Sequence, residues 1–259
     1  FQVIGYGFET YEQRSANYFE WIINVQKRRG FDRILVRGVA GEGDLGQLQT
    51  LKESISTLGV DEAWLVATRR ISQSARDISG KAEYSNIFCY TFDELLDQNA
   101  DFSIYFKWLE TEVKNRKIDK AYIPLAASKN EYNPRTGIRI GKSRYDDRNG
   151  WLDGYIDCWL TDPSKEHISV LGEFGTGKTW FCLHYAWYLL EHYLEAKKRG
   201  IERPRIPIVI PLRDYAKAVS VESLFSEFFF RKHEIPLPGY SAFLYLNKIG
   251  KLLLIFDGF

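Results

Sequence analysis

Three glycines spaced around a lysine constrain this chain more than any other feature. Ile168-Ser-Val-Leu-Gly-Glu-Phe-Gly-Thr-Gly-Lys-Thr179 fits G-x-x-x-x-G-K-[ST] at every fixed position. Gly172, Gly175 and Gly177 allow backbone torsions closed to residues with a Cβ, so the amides can turn inward on one centre. An apolar run, His167–Leu171, precedes the turn and reads as a strand. A long periodic segment, Thr179–Lys198, follows and reads as a helix, with Gly200 where a C′ glycine belongs. A strand, a glycine turn and a helix N-terminus together make a cradle for polyphosphate. The expected ligands are ATP or GTP with Mg²⁺. Gly172, Glu173, Phe174, Gly175, Thr176, Gly177, Lys178 and Thr179 form the binding loop, and the Thr179 hydroxyl ligates the metal.

Such a loop needs an acidic group at the end of a neighbouring buried strand. Leu252-Leu-Leu-Ile-Phe-Asp257 supplies it, with Asp257 as second support for Mg²⁺. Lys178 and Asp257 are therefore the expected catalytic pair. Around them, Ile206–Ile210 reads as a strand and Val221–Phe229 as a helix. Runs of this kind build a parallel sheet covered on both faces.

The first hundred residues alternate short β-rich runs (Trp21–Val25, Arg33–Val36, Ala63–Ala67, Asn86–Tyr90) with helical patterns. Leu45, Leu48, Leu51, Ile55 and Leu58 fall on one helix face. Thr91 and Glu94 fit a capping box. Asp101–Arg116 reads as an amphipathic helix, and the polar stretch Ala127–Asn149 as a linker or surface loop. The expected architecture is α/β throughout: a small domain over 1–98, a helix and linker over 99–150, and the first part of a P-loop sheet over 151–259.

Bulk properties narrow the function classes. A net charge of +1 gives no global attraction to nucleic acid or anionic membrane. No apolar run approaches bilayer length. Cys89, Cys158 and Cys182 form no CxxC pair and read as reduced thiols, so the expected compartment is the cytoplasm and no membrane partner is expected. His167, His184, His192 and His233 lack zinc-ligand spacing with the cysteines. Trp180, Phe181, Tyr185 and Trp187 read as core and interface packing. The basic cluster Lys27, Arg28, Arg29, Arg33 and Arg37 reads as a solvated face. The chain contains no methionine and opens on Phe1, and it stops just after the Asp257 strand, so it reads as a piece cut at both ends.

With these residues in view, 151–259 resembles the NACHT family of signalling P-loop NTPases, within the STAND class. The likeness rests on Gly172–Thr179 after its apolar run and on Ile206-Pro-Ile-Val-Ile-Pro-Leu-Arg-Asp-Tyr215. It rests also on Phe256-Asp257-Gly258-Phe259, where a small residue follows the acidic one, and on the lead-in Trp159-Leu160 before His167. The resemblance implies nucleotide binding with slow hydrolysis used as a switch, self-oligomerisation on activation, and in bacteria a role in antiviral defence. Members carry further acidic residues past the position of Phe259, then an arginine sensor and a winged helix. The sequence holds none of these, so binding is expected of this chain and turnover only of a longer protein.

Residues Phe19–Asp77 resemble, more loosely, the Mrr-like branch of the PD-(D/E)xK restriction-endonuclease fold. Glu20 stands where the first carboxylate belongs, but Arg37 occupies the second acidic position and Val39 the lysine position. A cation and an isopropyl group cannot hold Mg²⁺ or position a nucleophile, so an inactive nuclease fold is expected. The alternatives are an α/β accessory domain without nuclease ancestry, an effector whose N-terminal domain grips or cuts DNA under NTPase control, and a scaffold that nucleotide merely locks.

Overall fold

The computed structural model describes residues 6–28, 30–237 and 239–258. It divides into two compact units that do not follow chain order. The first gathers residues up to Tyr105 with Glu191–Ile206 and Ala218–Leu253. The second comprises Phe106–Leu190, Pro207–Lys217 and the residues from Leu254 on.

The first unit is built on a mixed five-stranded sheet. Strands β1 (Gly7–Arg14), β2 (Tyr18–Lys27) and β3 (Gly30–Val39) pair antiparallel, after which the chain forms the short β4 (Glu42–Gly43) and helix α1 (Leu45–Leu58). Strand β5 (Glu62–Ala67) returns parallel to β3. Then come β6 (Arg70–Ile71), α2 (Gln73–Ser79) and β7 (Ile87–Thr91), which lies parallel to β5, giving the order β1-β2-β3-β5-β7. Alternation along the strands sorts side chains to two faces. Ile22, Leu35 and Leu65 pack with Leu48, Leu51 and Ile55 of α1. Ile23, Ile34, Val36 and Val66 pack with Leu95 of α3 (Phe92–Asn99) on the other.

All four strand runs and the Leu45–Leu58 helix lie where their patterns put them. Asp44 caps α1 reciprocally with Gln47, and Gly59 ends it at φ 61°. Thr91 and Glu94 form the expected capping box on α3. Long-range ion pairs tie later segments into this unit. Buried Arg203 donates to Asp97 Oδ1 at 2.8 Å and to the Tyr193 hydroxyl at 3.0 Å, while Lys251 Nζ reaches Asp93 Oδ1 at 2.7 Å. Burial raises the Asp97 carboxyl, but the bonds from Arg203 and Lys197 outweigh it and hold the group below the usual range.

Helix α4 (Ser103–Asn115) matches the expected amphipathic helix and is followed by the short α5 (Ile118–Ala121). The stretch 127–149 is not a loop. It folds into an antiparallel ribbon, β8 (Ala127–Tyr132) and β9 (Arg139–Tyr145), before α6 (Trp151–Thr161). Its polar residues had masked a strand alternation, and Pro134 and Gly137 sit in the connecting turn, with Gly137 at φ 66°. Helix α7 (Lys178–Arg199) ends as expected, Gly200 adopting φ 64° while Ile201 N–H bonds the Ala196 carbonyl at 3.2 Å.

Three expectations for the later chain need correction. His167–Leu171 joins no ladder among the described residues, and Leu171 is 91% exposed. A strand exists only through its partners, and apolar character alone does not supply them. Of the expected parallel sheet, the described residues form two strands, β10 (Ile206–Pro211) and β11 (Leu252–Asp257), which pair with one another. β11 is also not a fully buried strand: Leu252 and Asp257 are buried, but Phe256 is 39% exposed. Between them, Val221–Phe229 begins as α8 (Val221–Ser226) and widens into a π-helical stretch over Glu227–Lys232, ahead of α9 (Tyr240–Lys248). No helix among the described residues is long and apolar enough to cross a membrane.

Candidate functional site

The glycine turn of the second unit closes around its own lysine. Gly175 and Gly177 take φ 82° and 86°, a region that L side chains enter only under strain. At Gly172 a Cβ would lie 3.0 Å from Thr176 Oγ1, so that position too is close-packed. Lys178 Nζ donates to the Gly172 carbonyl at 2.6 Å and the Glu173 carbonyl at 2.7 Å, and lies 3.3 Å from Thr176 Oγ1. In a trans peptide the carbonyl and the next amide point opposite ways, so turning carbonyls toward the ammonium turns the following N–H groups away from it. Glu173 and Phe174 are exposed, Phe174 completely.

Two residues far apart in sequence meet beside this turn. Thr179 Oγ1, in the first turn of α7, donates to Asp257 Oδ1, the last residue of β11, at 3.0 Å. Asp257 is buried. A hydroxyl and a carboxylate in mutual contact, both oxygen donors, suit a hard cation such as Mg²⁺. One helical turn on, Cys182 is pushed up to about 12 by burial and by the Asp257 charge, so it is an inert thiol. Gly258 follows with φ 92°, and a Cβ there would lie 3.9 Å from Arg213 Nε, which brings the Ile206–Tyr215 segment to the strand end. Phe259 and Arg29, named in the sequence readings, lie outside the described residues.

A support behind the turn escaped sequence reasoning. Leu125 would lie 3.5 Å from a Cβ placed on Gly177, and its carbonyl accepts from Leu152 N at 2.9 Å. Tyr122 stacks on His184 of α7 with centroids 3.6 Å apart, and its hydroxyl reaches Asp153 of α6 at 3.4 Å. Burial raises the Asp153 carboxyl above its ordinary value. The signal available was Tyr122-Ile-Pro-Leu125, an apolar tetrad directly before the polar ribbon. Among the helix aromatics, Phe181 and Tyr185 are buried, Trp187 is half-buried, and Trp180 is exposed.

The nuclease-like centre of the first unit is filled by an ion pair. Glu20 and Arg37 are register partners on β2 and β3. Arg37 Nε donates to Glu20 Oε1 at 2.6 Å, and both side chains are at most 2% exposed. The guanidinium also donates to the Gln47 carbonyl at 2.8 Å and Thr50 Oγ1 at 2.5 Å, and lies 4.3 Å over the Tyr18 ring. The Tyr11 hydroxyl takes up Glu20 Oε2 at 3.2 Å. A fixed cation therefore occupies the space that a divalent ion would need, and these residues do not fit one. Arg37 is thus no part of a solvated basic face. Of its expected companions, Lys27 pairs with Asp32 and Arg33 with Glu9.

Residues 1–97 match the family described as NACHT-associated inactive Restriction Endonuclease 1. That description agrees with a carboxylate neutralised in place. The whole chain is 58% identical, over 259 residues, to an uncharacterized WD repeat-containing protein of Nostoc sp., and it spans 17% of that relative's length. No solved structure matches.

Proposed function

We propose that the chain binds a nucleoside triphosphate, ATP or GTP, with Mg²⁺, as the nucleotide-operated part of a NACHT-type signalling protein in bacterial antiviral defence. The observation that carries this reading is the Thr179–Asp257 contact of 3.0 Å, between residues 78 positions apart, beside a glycine turn folded round Lys178. In this reading the amides of Gly172–Thr179 hold phosphate oxygens and the N-terminus of α7 faces them. Lys178 exchanges carbonyl partners for phosphate, and Thr179 and Asp257 hold the metal shell. Mg²⁺, when bound, neutralises charge on the phosphate oxygens.

The inactive nuclease-like unit then serves as an interaction or effector module without cleaving DNA. The WD repeats named for the Nostoc relative suit a sensor portion, and self-oligomerisation and turnover belong to the longer protein. Free cysteines at 89, 158 and 182 agree with a reducing, cytoplasmic setting. The test is calorimetric titration with ATP and GTP in Mg²⁺. Lys178→Ala is expected to weaken binding beyond detection without changing the circular dichroism spectrum; unchanged affinity would refute the assignment.

A further inference from the structure

We propose that the outer face of the β8–β9 ribbon docks double-stranded DNA through its phosphates. The chain as a whole is nearly neutral, yet residues 127–145 carry five basic side chains and one acidic one. Pairing sorts them by face. On the inner face Glu131 is neutralised by Lys129 and accepts from Ser143 Oγ at 2.9 Å, and Tyr145 anchors the ribbon on Tyr155 of α6 with ring centroids 4.3 Å apart. On the outer face Asn130 stands opposite Lys142, and Ser128 opposite Arg144. All four are exposed. Lys142, Arg144 and, at the tip, Arg135 have no ion-pair partner among the described residues, and that face carries no acid.

Exposed cations held on a rigid ribbon with no counter-charge complement a polyanion. Lys142 and Arg144, two positions apart on one strand, sit about 7 Å from each other, so each can meet a separate phosphate. The tip is fixed, not frayed: Asn133 Oδ1 accepts the Arg135 amide at 2.8 Å, and Asn133 N–H bonds the Ile138 carbonyl at 2.8 Å. A two-stranded ribbon fits the major groove of B-form DNA, whereas the deep, narrow groove of duplex RNA excludes it. Exposed Ile140, at the register shift of β9, offers an apolar contact of the kind thymine methyls accept. The cations named belong to the ribbon and not to the glycine turn, so the inference does not rest on nucleotide binding.

The experiment is fluorescence anisotropy of a labelled DNA duplex titrated with the full chain across a salt series, without nucleotide. Binding should weaken with salt, and Lys142→Glu with Arg144→Glu should lower affinity at least about tenfold and reduce the log–log salt slope by about two. Lys142→Gln with Arg144→Gln should fall between. A control pair with the same charge change, Arg231→Glu with Lys248→Glu, should bind as the unmodified chain does. No binding by the unmodified chain, an equal loss in the control pair, or an unaffected ribbon variant would overturn the proposal. So would binding of duplex RNA or of vesicles containing anionic lipid as tight as that of DNA.

Discussion

Glu20 and Arg37 show how a buried carboxylate is neutralised by a cation on the neighbouring strand. A carboxylate in the sheet interior needs a counter-charge, and with no metal-binding partner beside it the guanidinium serves, backed by Thr50, the Gln47 carbonyl and the Tyr18 ring. Removing one partner leaves the other charged and buried. Arg37→Ala is therefore expected to destabilise the first unit by about 3–5 kcal/mol, read from the shift in urea midpoint. Replacing both, Glu20→Leu with Arg37→Met, should cost far less, because no charge is stranded. The mismatch of Arg37 with a metal-binding position was legible from residue types alone; its buried pairing with Glu20 came from strand register. That Tyr11 and Tyr18 complete the cage was not legible, because they reach it only through the register of β1, β2 and β3. At Lys178 the residue-scale expectation is loss of nucleotide binding on truncation, since a neutral methyl neither gathers the loop carbonyls nor meets a phosphate.

Elements with strong local signals formed where their sequences put them. Helix α1 has an apolar stripe, a reciprocal cap at Asp44 and a left-handed glycine at its end, and all three agree. Asp44→Ala removes the carboxylate that accepts from Gln47 N and leaves the backbone bond to Gln47 Oε1, at an expected cost of about 1 kcal/mol, measurable as a lower thermal midpoint. Elements that depend on a distant partner were harder to read. The ribbon at 127–145 was hidden because its alternation runs between polar and less polar residues, with Tyr145 anchoring one face. His167–Leu171 has strand-like composition, but composition does not provide a neighbouring ladder.

At the scale of the molecule, the two units interleave chain segments that sequence order keeps apart. Within the first unit, His233 lies buried against the rings of Tyr105 and Phe228. Burial, helped by the Lys232 charge, holds its pKa down at about 4. The unfolded chain, with histidine near 6.5, binds the proton first, so stability is full above that value and is lost as pH falls toward 4. The expected loss is on the order of 2–3 kcal/mol. Thermal midpoints from pH 7.5 down to 4.5 should fall less steeply in His233→Leu than in the unmodified chain.

Local chemistry dictated the glycine turn at Gly172–Thr179, the capped helices, the β-rich runs of the first sheet, and the mismatch of Arg37 and Val39 with nuclease chemistry. Each is written in the conformational limits or charge of residues close together in the chain. Long-range packing was needed for Thr179 to meet Asp257, for Arg203 and Lys251 to close onto Asp97 and Asp93, and for Lys142 and Arg144 to share a face. Those outcomes depend on register and on contacts between residues separated by 78 to 158 positions in the first cases, and on strand pairing in the last. Loop closure and burial set them, and no short window of sequence carries that information.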